Sequence, residues 1–192
     1  MTTEKHTLGG ADMAVLADMV GRELKSYCSD MDCPGRAFGV VVLRFAGFDL
    51  EVRIRELENE SETEWIRDMT AVGVSRTSMD KVEPPSGHVD GDGNYIPNPF
   101  NSYPVGKRVN HVSVITEETR RDMGHGEGEA LSFTRGIILD LGDSFIAFDK
   151  LESWGEVWTI TTGTSETYCP EFSERDEEAP EFATKVEVKR IA

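Results

Sequence analysis

Residues 38–55 read Phe-Gly-Val-Val-Val-Leu-Arg-Phe-Ala-Gly-Phe-Asp-Leu-Glu-Val-Arg-Ile-Arg and carry a clear strand signal. The first eight form an apolar run rich in β-branched side chains, which is typical of a buried central strand. From residue 48 onwards apolar and charged side chains alternate, as in a strand with one face in water. The short Ala46-Gly47 step between the two runs predicts an antiparallel hairpin.

Further strands are predicted towards the end of the chain. Apolar residues at 137, 139 and 141 lead into Gly142-Asp143, and residues 145–148 lead out, which is the pattern of a two-residue turn with glycine first. Residues 157–162 predict a third strand of the same meander. Residues 110–115 predict a short strand, and residues 185–191 predict an edge strand.

Two or three helices are predicted as well. Residues 11–27 carry apolar side chains at the 3, 4 and 7 spacing of one helical face. Ser61 and Glu64 have the identities of a capping box, which predicts a brief helix behind them. Residues 116–123 are charged and compatible with a helix that ends at the following glycines.

Residues 82–108 contain five prolines and four glycines without apolar periodicity, and they predict a long loop. The predicted fold is therefore an α+β domain with a mostly antiparallel sheet of about six or seven strands, two or three helices and a long Pro/Gly-rich loop. The 192 residues fit one domain spanning 1–192. The 82–108 loop is the place where such a domain would divide into halves.

Charge and cysteine content restrict the class of protein. Thirty-six acidic and twenty basic residues give a net charge of −16, which disfavours direct binding to nucleic acid or to an anionic membrane. Three cysteines, an odd number, favour a reducing compartment. Since the sequence also has no apolar run of membrane-span length and no leader-like start, we predict a cytoplasmic protein.

Zinc and catalytic motifs are incomplete. Cys28 and Cys33 form one short-spaced pair, but Cys169 has no neighbouring ligand to complete the second pair of a zinc site. His125 and Glu127 match part of a zinc deaminase signature whose cysteine motif never follows. No phosphate-binding loop or nucleophile motif is present. We therefore predict no catalytic centre, metal site or cofactor, and an enzyme is the less favoured class.

Asp90, Asp92 and Asn94 occupy the first three ligand positions of a calcium loop. The glycine and the final glutamate of that loop are replaced by Tyr95 and Asn101. A solvated turn is therefore the favoured interpretation.

Two acidic runs are the most distinctive feature of the chain. Glutamates recur at every second residue from 56 to 64, and residues 166–181 hold seven acidic side chains. In an extended chain the first run would place carboxylates about 6.8 Å apart, similar to a row of phosphates. Such a row could occupy the basic groove of a nucleic-acid-binding protein. The alternative is a solvated acidic face.

Three aromatic residues of the long loop add a second candidate binding surface, the alternative being a loop folded over the core. The predicted partner-binding residues are Glu58, Glu60, Glu62, Glu64, Glu171, Glu174, Asp176, Glu177, Glu178, Tyr95, Phe100 and Tyr103.

In size and charge, though in no motif, the chain resembles the small acidic proteins of phages and mobile elements, among them anti-CRISPR proteins and other DNA-mimicking inhibitors. The resemblance implies blockade of a partner without chemistry. The leading hypothesis is therefore a non-enzymatic acidic interaction protein that blocks a basic partner, such as a nucleic-acid-binding protein.

Two alternatives stay open. One is a small-molecule- or metal-binding α+β domain, with or without enzymatic activity, that uses a cleft near the long loop and His88, Asp90 or Asp92. The other is a structural subunit whose acidity serves only solvation.

Overall fold

A computed structural model describes residues 2–31, 33–57, 63–67, 69–122, 124, 128–150, 156–164, 168, 170 and 182–192. Of these residues, 62% lie in strands and 9% in helices, so the chain is mostly β and the predicted α+β class is wrong. The helices are α1 (Gly10–Ala17) and the brief α2 (Glu64–Arg67), with a 3₁₀ turn at Met79–Lys81. Neither helix has the length and apolar character needed to cross a bilayer.

Fourteen strands are found in the described residues, against the six or seven predicted. They are β1 (Thr2–His6), β2 (Glu23–Ser29), β3 (Arg36–Phe38), β4 (Val40–Phe45), β5 (Asp49–Glu56), β6 (Thr70–Thr77), β7 (Gly87–Val89), β8 (Tyr95–Pro97), β9 (Asn101–Arg108), β10 (His111–Asp122), β11 (Gly128–Asp140), β12 (Ser144–Lys150), β13 (Val157–Thr164) and β14 (Phe182–Arg190).

These strands form two large sheets and a separate hairpin. The first sheet has the order β14-β10-β11-β12-β13-β3, with β1 paired to β11. The second has the order β6-β5-β4-β2-β9, and β7 pairs only with β8. The main core contains side chains of both large sheets, including Leu43, Val52, Leu139 and Trp158. The two sheets therefore bury a shared apolar face, as in a β-sandwich.

Several predicted elements are confirmed. β4 and β5 form the antiparallel hairpin expected for residues 38–55. β11, β12 and β13 form the expected meander, with Gly142 at a φ of +92° in the first turn. β14 lies at the edge of its sheet, and α2 is the brief helix that the capping box predicted.

The helix predicted over residues 11–27 is correct only as far as Ala17, because residues 23–29 form β2. A bulge in β2 skips one residue between Leu24 and Ser26, so that Leu24 lies opposite Phe45 and Tyr27 lies opposite Leu43. Both side chains therefore reach the main core although they are three residues apart. That spacing imitates a helical stripe.

Two other predictions also fail in favour of strands. Residues 116–122 continue β10, because they pair on one side with β11 and on the other with β14. The 82–108 segment contains β7, β8 and β9, of which β9 is an edge strand paired with β2. Pro104 is tolerated because β9 lies at the edge of its sheet. In β9 the side chains of Tyr103 and Val105 both pack against the core, but the proline between them obscured this strand pattern in the sequence.

The first sheet forks along β11. β12 pairs with residues 136–140, whereas β1 pairs in parallel with residues 129–133 of the same strand. Between the two partners, β10 skips Arg135, since Ile115 lies opposite Gly136 and the next residue lies opposite Thr134. Arg135 therefore occupies a β-bulge at the branch point.

Candidate functional site

Residues 87–97 form a β-hairpin, here called the arm, that is separate from the two large sheets. Val89 lies opposite Tyr95, and His88 lies opposite Ile96. The exposed fractions of Val89, Tyr95 and Ile96 are 64%, 57% and 41%, and these are three of the five exposed large apolar side chains of the described residues. Val89 and Tyr95 share one face of the arm, and Ile96 lies on the other face, because neighbouring residues of a strand point to opposite faces. Exposed apolar side chains concentrated on one element are typical of an interaction surface.

Asp90 holds the turn of the arm. Its Oδ1 accepts hydrogen bonds from the backbone N–H groups of Asp92 at 2.9 Å and Asn94 at 2.8 Å, and its Oδ2 accepts one from the Asn94 side chain at 3.1 Å. The bonds from Asn94 lower the pKa of the Asp90 carboxyl. Gly93, at a φ of +85°, allows the chain to reverse. Asp90 therefore serves the turn, and within the described ranges no group of three His, Cys, Asp or Glu side chains could hold a metal ion.

The two ends of the arm are hydrogen-bonded to each other, and one of them lies against the protein body. The backbone N–H of Asn98 donates to the Ser86 carbonyl at 2.9 Å, and its Nδ2 donates to Ser86 Oγ at 2.9 Å. Pro85 lies against Gly39, where a Cβ atom would come within 3.1 Å of the proline ring. The Tyr95 ring lies across Gly87, so a side chain at that position would meet the ring at 2.6 Å. Glycine at 87 is therefore required for the ring's position.

A cleft of about 590 Å³, here called the Asp30 cleft, opens beside the base of the arm. Its volume lies in the range of small-molecule sites. It is bordered by the segment after β2, by β3, by the base of the arm and by the start of β9. The lining residues are Asp30, Met31, Phe38, Ser86, Asn98, Pro99 and Asn101.

Asp30 is the charged residue of this lining and is only 3% exposed. Its Oδ1 accepts the backbone N–H of Phe38 at 2.9 Å. Its Oδ2 is buried and has no hydrogen-bond partner among the described residues. A buried polar atom of this kind costs about 1–3 kcal/mol unless something satisfies it. The sequence contained one weak signal for this residue, namely its position between the two cysteines.

Of the remaining predicted partner-binding residues, three are described by the structure. Phe100 packs against a small buried cluster around Val40 and Val42, and Tyr103 stacks on Tyr27 at a ring separation of 5.1 Å. Both therefore have packing roles, as expected for a chain segment folded over the core. Glu64 is exposed at the start of α2. The residues Glu58, Glu60, Glu62, Glu171, Glu174, Asp176, Glu177 and Glu178 lie outside the described residues.

The described histidines and cysteines form no metal-binding group. Cys28 is buried and Cys33 is exposed, and both are free thiols. His6 lies 3.4 Å from a Glu4 carboxylate oxygen, and His88 is exposed on the arm. Cys169, His125 and Glu127 lie outside the described residues.

A buried ionic group that the sequence did not predict occupies the fork of the first sheet. Arg135 Nε donates to Asp149 Oδ1 at 2.7 Å, and its Nη2 donates to Asp149 Oδ2 at 3.2 Å. Nη1 donates to Glu117 Oε2 at 3.3 Å, and Nε also donates to the Lys150 carbonyl at 2.7 Å. We call these four residues the fork network. They come from three different strands, so no local sequence motif predicts that they lie together.

Lys150 has the lowered pKa that is typical of a catalytic base, but its side chain is buried. Burial lowers the pKa of its ammonium group to about 7. Its Nζ donates to the Thr70 carbonyl at 2.6 Å and lies 5.1 Å from the centre of the Phe133 ring. The residue is 0% exposed and does not line the Asp30 cleft, so Nζ is not open to that site. The fork network is therefore a structural centre.

Comparisons with protein-family models, with curated proteins and with solved structures found no match to this chain.

Proposed function

We propose that the protein is a non-enzymatic interaction protein that binds a basic partner protein, and that the arm is a principal contact. The observation that carries the proposal is the exposure of Val89, Tyr95 and Ile96 on a hairpin that belongs to neither large sheet. Val89 and Tyr95 are cross-strand neighbours on one face of the arm, and an aromatic side chain beside a smaller apolar one is typical of the centres of protein interfaces.

Charge identifies the kind of partner. Residues 82–106 contain no lysine or arginine but contain Glu83, Asp90 and Asp92. Glu83 and Asp92 are exposed. The whole chain has a net charge of −16, so its field attracts basic proteins and repels acidic ones. A basic protein with an apolar recess fits the arm in both respects.

The arm is tested by affinity capture from a cell lysate at low and at high salt, followed by mass spectrometry. The bait is the full chain, and the test variant combines Val89→Ser with Tyr95→Ser. We expect the wild type to retain a basic protein at low salt and release it at high salt, and the double variant to lose it because the apolar contact is gone.

Val157→Ser is the matched control, because Val157 is also exposed, at 36%, but lies in β13 away from the arm. This variant is expected to retain the same protein as the wild type. Equal capture by the wild type and the arm variant would overturn the role of the arm. Capture that is insensitive to salt would overturn the charge argument.

Mimicry of nucleic acid is a separate part of the proposal and depends on the acidic runs at 56–64 and 166–181. We expect replacement of Glu58, Glu60, Glu62 and Glu64 by glutamine to weaken capture of a nucleic-acid-binding partner, because the row of carboxylates would no longer replace phosphates. If this variant bound the partner as the wild type does, mimicry would be rejected. The role of the arm would still be tested separately by the variant with Val89→Ser and Tyr95→Ser.

A further inference from the structure

The Asp30 cleft contains a buried acceptor that the fold itself does not use. Among the described residues, Asp30 Oδ1 is occupied by the Phe38 N–H at 2.9 Å, whereas Oδ2 has no hydrogen-bond partner. A carboxylate oxygen of this kind is satisfied most strongly by a charged N–H donor. Among the described residues that line the cleft there is no lysine or arginine that would provide one.

The neighbouring polar groups favour a donor as well. Asn98 Nδ2 already donates to Ser86 Oγ at 2.9 Å, and Asn101 Nδ2 donates to the Met31 carbonyl at 3.3 Å. Each amide thus uses one of its two N–H donors within the protein, and its carbonyl oxygen adds acceptor capacity beside the Asp30 carboxylate. The cleft is therefore rich in acceptors.

The rest of the wall is suited to a carbon-bearing cation. Met31, Phe38 and Pro99 provide apolar surface beside the carboxylate, and an aromatic ring attracts an organic cation through its face. Divalent-ion sites in proteins usually collect several carboxylates, and among the described residues no group of three His, Cys, Asp or Glu side chains could hold a metal ion. A carboxylate or phosphate ligand would be repelled by Asp30.

We propose that the Asp30 cleft binds an organic cation, an alkylammonium or alkylguanidinium group, whose N–H donors bond to Asp30 Oδ2 while its alkyl stem lies against Phe38 and Met31. This site goes beyond the proposed function, since it involves none of the exposed side chains of the arm. The same group occurs in free amines and in lysine or arginine side chains, and the experiment separates the two sources.

The experiment is a two-dimensional NMR titration of the full chain with n-butylammonium and n-butylguanidinium, with n-butanol and butyrate as the neutral and anionic counterparts. We expect saturable shifts of the Met31, Phe38 and Asn101 amide signals with the cations only. Asp30→Asn preserves the size of the side chain, and we expect it to weaken binding by about tenfold or more, because a charge-assisted bond is lost.

Two further variants keep the result interpretable. Phe38→Leu leaves the carboxylate in place, and we expect it to weaken cation binding a few-fold. The arm variant with Val89→Ser and Tyr95→Ser is expected to bind the cations as the wild type does, so a failed arm and a failed cleft are distinguishable.

Blocked Gly-Arg-Gly and Gly-Lys-Gly peptides identify the source. If they bind more tightly than the free cations, the cleft receives a side chain of a protein; if only the free cations bind, it receives a small amine. The proposal is overturned if butanol or butyrate binds as well as the cations, if no cation binds, or if Asp30→Asn, folded by circular dichroism, binds cations with unchanged affinity.

Discussion

At Gly136 the backbones of β11 and β12 approach so closely that no side chain fits. A Cβ atom at this position would lie 2.3 Å from the Phe148 carbonyl oxygen and 3.0 Å from the Asp149 Cα. Because both are backbone atoms, Gly136→Ala would push the strands apart, and we expect it to lower the free energy of unfolding by about 1–3 kcal/mol. Urea unfolding measures this loss.

Gly10→Ala is the control for that substitution. Gly10 begins α1, and no heavy atom lies within 4 Å of its Cβ position. Its free energy of unfolding is expected to stay unchanged or to rise slightly, because alanine favours the helix. Equal stability of the two variants would show that β12 does not approach β11 at Gly136 as closely as described.

Lys150 gives stability a pH dependence of predictable sign. Burial lowers the pKa of its ammonium group to about 7 in the folded state, from 10.5 in an unfolded chain. Between these values the unfolded chain binds more protons, so the free energy of unfolding rises with pH, by up to about 1.4 kcal/mol per pH unit. We expect Lys150→Met to flatten this rise in urea unfolding curves recorded from pH 7 to 10.5.

The control for this measurement is Lys107→Met. Lys107 is exposed and pairs with Asp143 at 2.8 Å on the surface. This variant is expected to keep the rise of the wild type. A Lys150→Met profile parallel to that of the wild type would mean that Lys150 remains charged throughout the range.

At the scale of the elements, the fork of the first sheet depends on Arg135. Its guanidinium pairs with both Asp149 and Glu117, whose side chains are only 3% and 4% exposed. Arg135→Met would leave two buried carboxylates without this cation, and we expect a loss of about 3–5 kcal/mol in the free energy of unfolding. Thermal or urea unfolding provides the measurement.

Arg120→Met is the matched control, because Arg120 pairs with Glu118 on the surface of β10, with side chains 57% and 32% exposed. Surface pairs of this kind contribute about 0–1 kcal/mol. If Arg120→Met and Arg135→Met lowered the free energy of unfolding equally, burial would not explain the importance of the ion pairs in the fork network.

At the scale of the whole molecule, the net charge of −16 opposes compaction through self-repulsion. The Debye length falls from about 30 Å at 0.01 M salt to about 8 Å at 0.15 M salt. We therefore expect the melting temperature to rise steeply with NaCl over this range and then to level off. A flat or falling melting temperature would show that the acidic groups are too far apart to repel one another.

Local signals in the sequence determined part of the fold. The β4–β5 hairpin and the β11–β13 meander were predictable, because β-branched runs, period-two alternation and a glycine-first turn act between neighbouring residues. The strand β14 and the brief helix α2 were also predictable from local patterns, namely the residues of the last segment and the capping box. The arm also carried a local signal, since its aspartates, glycines and asparagine predicted the turn at 90–94.

Tertiary structure decided the rest. The bulge in β2 placed Leu24 and Tyr27 on one face and so imitated a helix, and the pairing of residues 116–122 with strands on both sides overrode their helical compatibility. The fork network joins β10, β11 and β12, and the Asp30 cleft joins β3 with the segments after β2 and around the arm.

Charge partners and clefts are formed between residues that are distant in sequence, whereas composition and periodicity report only neighbours. The sequence by itself therefore determined the acidity and the local strands of this protein, and only the packing of the two sheets decided which charges are buried and where a cleft opens.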